Sequence, residues 1–420
     1  MKKYSISTLF VFIVCIVFAQ QNPVVFKGAT IHLGNGQVIE KGYLGIAKGK
    51  ILFCSAQLDV AYASATSVDV TGKHIYPGII CMSNMMGLNE IEVVRATLDF
   101  RETGEINPNV RALIAYNTDS KITPTALNNG ILFTQPVPQG GLISGMSSLM
   151  RTSGWNWEDA VYKVDDGVHM NWPEEMHYSG WWAEQGTAQQ QKNDKDIRII
   201  QQFFEQANQY NRLVSPKVFN ARLDAMKDVL NGAKNLYVHA ESAKSIIAVI
   251  QFKKQYPAMK VVLVDASDAW MVKEQIKENN IPVVLNNIHQ LPKHNQSDVD
   301  QPYKTAVELV RAGITVAIGH NGYWEARNVM FNAGTTVAYG LSKEEALQCI
   351  TYNAAKIIGV DKTLGSLETT KDATFIISSG DVLDMRTSIV ERAFMDGIEI
   401  DLDNQQKQLY RKYKAKYNLK

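Results

Sequence analysis

The sequence has almost no excess of charge of either sign, because 43 Lys and Arg residues stand against 42 Asp and Glu residues. A nucleic-acid-binding protein needs a concentrated basic surface, so this balance disfavours a nucleic-acid partner. Hydrophobic residues make up 45% of the chain, which argues against a disordered protein. A length of 420 residues allows one large domain and one small one.

Cysteines are also scarce, with four at positions 15, 54, 81 and 349. Their wide spacing does not suggest a disulfide scaffold, and no pair has the CxxC spacing of a metal knuckle. The glycine-rich residues 139–148 lack the spacing of a phosphate-binding P-loop. The eight histidines are therefore the residues to follow, since zinc enzymes draw many of their ligands from histidine.

The first residues are typical of a secretory signal peptide. Lys2 and Lys3 precede an apolar run over residues 9–18, and small and polar residues follow at 19–21. We predict a signal peptide over residues 1–20, export to the periplasm, and no membrane span in the mature chain. A lipid anchor at Cys15 is the alternative, although Val14 is a poor residue before a lipidated cysteine.

The order of apolar patterns predicts an α/β fold. Short β-rich runs broken by glycine occur over residues 24–76 and again over 373–400. Between them, wholly apolar runs typical of buried parallel strands alternate with amphipathic helical stretches. We predict a (β/α)₈ TIM-like barrel, accompanied by a small β-sandwich domain assembled from both termini.

The predicted boundaries give the barrel residues 77–364 and the β-sandwich domain residues 21–76 and 365–403. Residues 151–190 hold five of the seven Trp and are predicted to be an aromatic insertion. The insertion is interpreted as a lid or docking surface, or as a long loop packed on the barrel. Residues 404–420 form a basic tail, interpreted as a solvated terminal segment.

Several motifs resemble those of the amidohydrolase superfamily, in particular its imidazolonepropionase-related members. Residues 72–80, GKHIYPGII, resemble the start of the first barrel strand, and residues 312–319, AGITVAIG, resemble the last strand. Three further motifs follow in the family's order, at residues 340–347, 351–356 and 364–368. The resemblance implies hydrolysis of non-peptide C–N bonds in small cyclic amides or related compounds.

The resemblance also implies a divalent metal at the C-terminal ends of the strands. The family places an Asp-x-His-x-His motif after the first strand, a His at the end of the fifth and sixth strands, and an Asp at the end of the eighth. Ser83 and Met85 occupy the first two His positions here, and Asp265 occupies that of the sixth strand. Asn321 replaces the Asp, and an amide cannot act as the general base. Only His239 keeps its family residue.

Two interpretations of the remaining residues stay open. His239, Asp265 and His320 would all lie at strand C-termini, where they would bind a single divalent metal such as zinc. Glu241 would then lie nearby as a base. Alternatively, no cofactor is bound and His239 is an ordinary hydrogen-bonded histidine near the barrel mouth.

The function that follows is that of an exported amidohydrolase-family protein whose ordinary hydrolytic activity is lost or altered. The alternative is a non-catalytic binding module, or the partner subunit of an active amidohydrolase paralogue. Fold alone does not decide between these classes. We expect a small-molecule ligand at the barrel mouth, and association with a second copy of the chain or with such a paralogue stays open.

Overall fold

The computed structural model describes residues 22–174, 186–213 and 218–419. The predicted signal peptide and Cys15 lie outside these residues, as do His177, Trp181 and Trp182 of the predicted insertion. The described strands, in chain order, are β1 (Val24–His32), β2 (Val38–Ala47), β3 (Lys50–Ser55), β4 (Thr66–Asp69), β5 (His74–Pro77), β6 (Ile79–Asn84), β7 (Ile131–Pro136), β8 (Ile143–Arg151), β9 (Val161–Asn171), β10 (Asn235–Ala240), β11 (Lys260–Asp265), β12 (Val283–Leu285), β13 (Val316–Ile318), β14 (Phe375–Ser378), β15 (Val390–Met395) and β16 (Ile398–Ile400).

The α-helices lie between and after these strands. They are α1 (Ala112–Ala115), α2 (Thr123–Asn128), α3 (Trp157–Ala160), α4 (Gly186–Asn211), α5 (Ala221–Ala225), α6 (Lys227–Leu230), α7 (Ala243–Lys254), α8 (Lys273–Glu278), α9 (Gln301–Arg311), α10 (Val329–Ala338), α11 (Lys343–Cys349), α12 (Tyr352–Ile358) and α13 (Gln405–Lys416). In the part of the chain that the structure describes, none has the length and apolar character needed to cross a membrane.

One sheet contains strands from both ends of the chain, as predicted. Its order is β16-β15-β14-β5-β1-β2-β3, and β4 pairs with β1. The sheet has its own apolar core, in which Phe375 stacks on Phe394 at 4.6 Å between ring centroids and Phe26 meets both rings edge-on. The C-terminal segment continues as the helix α13, which has no buried residues.

The second sheet is the predicted barrel, with strand order β13-β12-β11-β10-β9-β8-β7-β6. The last strand returns to the first, since the His320 backbone N–H donates to the Met82 carbonyl at 3.3 Å. Strand β8 is antiparallel to both β7 and β9, whereas the other neighbouring strands of this sheet are parallel. The strict βα alternation that we expected is therefore interrupted at the third strand.

Part of the segment assigned to an aromatic insertion is a barrel strand. Strand β9 spans residues 161–171 of the predicted 151–190 insertion, and it pairs with β8 and β10. The sequence prediction followed the many Trp residues of this segment and overlooked the buried strand residues 166–170. Trp172 follows this strand and is itself buried against Phe252, at 5.6 Å between ring centroids.

Candidate functional site

The ends of two neighbouring parallel strands bring His239 and Asp265 together, as the sequence predicted. His239 is the fifth residue of β10 and Asp265 is the last of β11, and the register pairs Ala240 with Asp265. The Nδ1 atom of His239 lies 2.7 Å from Oδ2 of Asp265. Burial raises the pKa of Asp265, but the hydrogen bonds from His239 and Asn286 outweigh it and the pKa is lowered. Asp265 is therefore ionised at neutral pH.

A second histidine, His169 of β9, contacts the other ring nitrogen of His239. Its Nδ1 lies 3.0 Å from Nε2 of His239, and its own Nε2 lies 2.9 Å from Oγ of Ser147. Ser147 Oγ in turn lies 2.8 Å from Oδ1 of Asp166. A continuous chain of hydrogen bonds thus runs from the barrel mouth into the interior.

The number of hydrogens in this chain limits the protonation states that Asp166 can have. Four hydrogen bonds join the five side chains, so four hydrogens are needed. Neutral His239, neutral His169 and Ser147 supply one each, and ionised Asp265 supplies none. The fourth comes either from a second ring hydrogen on His239, with Ser147 donating to Asp166, or from Asp166 as a carboxylic acid that donates to Ser147. We infer the second arrangement.

Burial supports this assignment. It raises the pKa of Asp166, which is 1% exposed, against the lowering effect of its hydrogen bonds. Burial and the neighbouring His239 hold the pKa of His169 well below its usual value. With a charged His239, the hydrogen bonds between His239 and Asp166 would all be donated in the opposite direction. Asp166 would then be ionised in the interior, which burial disfavours.

The remaining contacts of Asp166 are also satisfied. Its Oδ2 accepts hydrogen bonds from the Tyr237 hydroxyl at 2.6 Å and from Nε2 of Gln135 at 2.8 Å. Tyr237 is fully buried and stacks on His169 at 4.6 Å between ring centroids. Together these groups form a polar core inside an otherwise apolar barrel.

The Ser, His and Asp residues of this chain do not form a hydrolytic triad. Ser147 is 0% exposed, and its hydroxyl lies between His169 and Asp166. A nucleophile must reach the substrate carbonyl, and a hydroxyl in this position cannot. The network is therefore structural at its inner end.

Amide side chains occupy the space on the opposite side of Asp265. Nδ2 of Asn286 donates to Oδ1 of Asp265 at 2.8 Å and to Oγ of Ser83 at 3.3 Å. The backbone N–H of Ser83 donates to Oε1 of Gln135 at 3.2 Å. Ser83 and Asp265 have φ values of 54° and 69°, a left-handed conformation that costs about 1–3 kcal/mol for a non-glycine residue. Met85 is half-buried and contributes a thioether in place of an imidazole.

Three other predicted site residues form their hydrogen bonds or ion pairs away from His239. Nδ1 of His320 accepts from the Gly322 backbone N–H at 3.1 Å, and burial lowers the His320 pKa. Oδ1 of Asn321 accepts from Nδ2 of Asn287 at 2.8 Å. Glu241 pairs with Lys293 at 2.6 Å, so the structure does not place its carboxylate against His239 as the expected base.

These donors do not fit a divalent metal. The two ring nitrogens of His239 already face Asp265 and His169, and Ser83 offers only a neutral hydroxyl. Across residues 22–174, 186–213 and 218–419, no three His, Cys, Asp or Glu side chains are placed to hold a metal ion. The rearranged site of His239, Asp265 and His320 is therefore not assembled in this structure.

A narrow pocket lies beside Asp265 at the barrel mouth. Its volume is about 20 Å³, which is room for little more than one water molecule. The walls come from β11, the residues 267–270 after it, β12 and the segment 286–305, and they include Asp268, Lys293 and His294. His294 pairs with Asp268 at 2.8 Å, so the segment after β12 is tied to the segment after β11.

Sequence reasoning missed His169, Ser147 and Asp166. His169 was assigned to the insertion, so its approach to His239 was not anticipated. The signal that identifies it is the sequence GVHMN at residues 167–171, a buried strand that places a histidine level with Tyr237 of β10. Ser147 could not be recognised because serine in a strand carries no distinctive pattern.

Comparisons with known proteins agree with this architecture. Residues 199–399 match the Amidohydrolase family model. No curated protein matches the sequence. The structure is similar to that of an amidohydrolase from Thermotoga maritima MSB8, with a TM-score of 0.78 and 22% identity over 90% of this chain and 99% of the other.

Two further solved structures share the fold. Molinate hydrolase has a TM-score of 0.57 and 15% identity over 92% of this chain and 96% of its own. A Xaa-Pro dipeptidase with bound methionine has a TM-score of 0.56 and 13% identity over 90% of this chain and 100% of its own. Residues 199–399 thus match the Amidohydrolase family model, and the barrel with its β domain has the same fold as these solved structures.

Proposed function

We propose that this chain is an exported amidohydrolase-fold protein that has lost the metal-dependent hydrolysis of its family and serves as a non-catalytic binding module. The ligand is proposed to be a small molecule at the barrel mouth, where it would have to displace the segment 286–302 because the pocket holds little more than one water molecule. This proposal keeps the family assignment and changes only the chemistry. It corresponds to the alternative function that the sequence left open.

The observation that carries the proposal is that both ring nitrogens of His239 already have hydrogen-bond partners. His239 is the one histidine retained from the family's metal positions, and its two nitrogens lie 2.7 Å from Asp265 and 3.0 Å from His169. The general-base position holds Asn321, whose amide cannot take up a proton from water. Loss of hydrogen-bonding groups around a metal already costs about 10–100-fold in affinity or activity, so loss of the ligands themselves should abolish the site.

Assays of the native chain against compounds related to those of its structural neighbours test the proposal. The panel contains hydantoin as a cyclic ureide, molinate and an Xaa-Pro dipeptide, each with and without added zinc. We expect no hydrolysis above the protein-free rate. Zinc-dependent hydrolysis that disappears in a His239→Ala variant would overturn the proposal.

A variant in which the lost family residues are restored serves as a positive control. It carries Ser83→His, Met85→His, Asp265→His and Asn321→Asp, which return the four lost family residues. Native activity equal to that of a folded, active restored variant would show that the replacements did not remove the chemistry. The His239→Ala comparison decides the question even if the restored variant does not fold.

A second candidate is metal-free acid–base catalysis by Asp265 and His239. The observation in its favour is that Asp265 lines the mouth pocket and lies 2.7 Å from the imidazole of His239. Hydrolysis of a panel compound that survives metal chelators and is lost in Asp265→Asn would support this candidate over the binding module.

Export is part of the proposal and rests on Lys2, Lys3 and the apolar residues 9–18. Mass spectrometry of the protein from the periplasmic fraction tests it. We expect a mature chain that starts close to residue 21. A full-length chain confined to the cytoplasm would contradict export without affecting the argument about His239.

A further inference from the structure

A wide cleft opens at the end of the barrel opposite the mouth, where the strands begin. We call it the basal cleft, and its volume is about 700 Å³. Its walls include the first residues of β10 and β11, the residues 279–282 before β12 and the residues 313–315 before β13. Pockets of about 300–1,000 Å³ are of a size that holds small molecules. The proposed function makes no use of this cleft.

The lining of the basal cleft is strongly basic. Five lysines contribute to it, together with one acidic residue, Asp166. The lysines are Lys163, Lys253, Lys260, Lys277 and Lys356. Asp166 offsets at most one of the five positive charges, and none as the carboxylic acid inferred for the internal hydrogen-bond chain. The net side-chain charge of the lining is therefore positive.

No carboxylate of the described residues forms an ion pair with these lysines. Lys163 donates to the Ile358 carbonyl, a neutral acceptor. Among the residues that the structure describes, the other four lysines of the basal cleft form no ion pair, whereas nearby Lys273 pairs with Glu308 at 2.9 Å. A concave wall with charge of one sign concentrates the electrostatic potential within it.

Helix ends account for only part of this charge. Lys253, Lys277 and Lys356 stand in the last turns of α7, α8 and α12, where a cation also stabilises the helix. Each helix end carries at most about half a negative charge, so the three ends offset about 1.5 of the five positive charges. Lys163 and Lys260 lie in strands β9 and β11 and have no such role. An excess of about 3.5 positive charges therefore stays in the cleft, or about 2.5 with an ionised Asp166.

We propose that the basal cleft binds a small polyanion, such as a molecule with a diphosphate or a tricarboxylate group. Lysine ammonium groups bind phosphate and carboxylate oxygens through charge-assisted hydrogen bonds from a flexible side chain. A ligand with several negative charges offsets the excess positive charge of the basal cleft, whereas a monoanion would leave most of that charge unbalanced. This site is distinct from the barrel mouth, and its failure would leave the proposed function untouched.

Isothermal titration calorimetry with inorganic pyrophosphate and, separately, with citrate tests the proposal at constant ionic strength near 0.15 M. The test variant is Lys260→Gln with Lys277→Gln, which removes two positive charges from the basal cleft. The matched control is Lys121→Gln with Lys412→Gln, which removes the same charge from exposed positions outside the cleft lining. Thermal unfolding of both variants confirms that each is folded before titration.

We expect at least one of the two anions to bind the native chain. The dissociation constant should rise by about tenfold or more in the cleft variant and stay unchanged in the control. Stronger binding of pyrophosphate would assign the site to phosphate compounds, and stronger binding of citrate to polycarboxylates. The proposal is overturned if neither anion binds at millimolar concentration, or if both variants weaken binding equally.

Discussion

The protonation of Asp166 can be tested by replacing it with asparagine. In Asp166→Asn the amide nitrogen takes the place of the acid hydroxyl and donates to Ser147. The amide oxygen takes the place of Oδ2 and accepts from Tyr237 and Gln135. Because every hydrogen bond is kept, we expect the free energy of unfolding to change by less than about 1 kcal/mol at neutral pH.

The comparison variant is Asp166→Leu, which has the same number of side-chain heavy atoms and no polar atoms. It leaves the Tyr237 hydroxyl, the Gln135 amide and the Ser147 hydroxyl each without its Asp166 contact in the interior. A buried polar group without a partner costs about 1–3 kcal/mol, so the three together should cost at least about 3 kcal/mol. Urea unfolding monitored by tryptophan fluorescence measures both variants.

The pH dependence of the free energy of unfolding tests the protonation of Asp166 independently. Burial raises the folded pKa of Asp166 above its ordinary value. Its contribution to stability is therefore full below the unfolded pKa and is lost as the pH rises through the folded pKa. Asp166→Asn should remove this decline. A loss of about 3 kcal/mol or more in Asp166→Asn, equal to that of Asp166→Leu, would show that Asp166 is ionised and that the hydrogen count is wrong.

The remaining predictions concern the mouth and the packing of the barrel. Asp265 has a lowered pKa, so its stabilising effect is present above the unfolded pKa and is lost as the pH falls. We expect the native chain to lose stability faster than Asp265→Asn when urea unfolding is followed from about pH 5 to pH 3, and parallel curves would contradict this. In Gly334→Ala the added Cβ would lie 2.0 Å from the Leu383 carbonyl oxygen, so we expect a loss of about 1–3 kcal/mol in the same assay. An unchanged midpoint would refute the close packing of α10 against residue 383.

The barrel and the β domain could be predicted from the sequence because buried parallel strands have continuous apolar runs. The same logic placed His239 and Asp265 on neighbouring strand ends, and their 2.7 Å contact follows from the register of β10 and β11. The antiparallel direction of β8 could not be predicted, since the residue pattern of a buried strand such as 143–151 does not depend on the direction in which the strand runs.

The inner hydrogen-bond chain was beyond the sequence for a different reason. It depends on His169 and Ser147, which come from strands that the residue pattern did not identify correctly. His320 shows the opposite case, because it lies near its expected strand end but forms its hydrogen bond with Gly322. Position at a strand end predicts proximity, whereas the direction of a ring depends on neighbours that one sequence does not specify.

The central claim is that the replaced residues around His239 no longer hold a divalent metal, and metal analysis tests it most directly. The native chain is incubated with zinc, washed by gel filtration and measured by mass spectrometry of the elements, with His239→Ala as the matched control. The account predicts less than about one-tenth of an equivalent of zinc in both proteins. About one equivalent in the native chain that is lost in His239→Ala would contradict it.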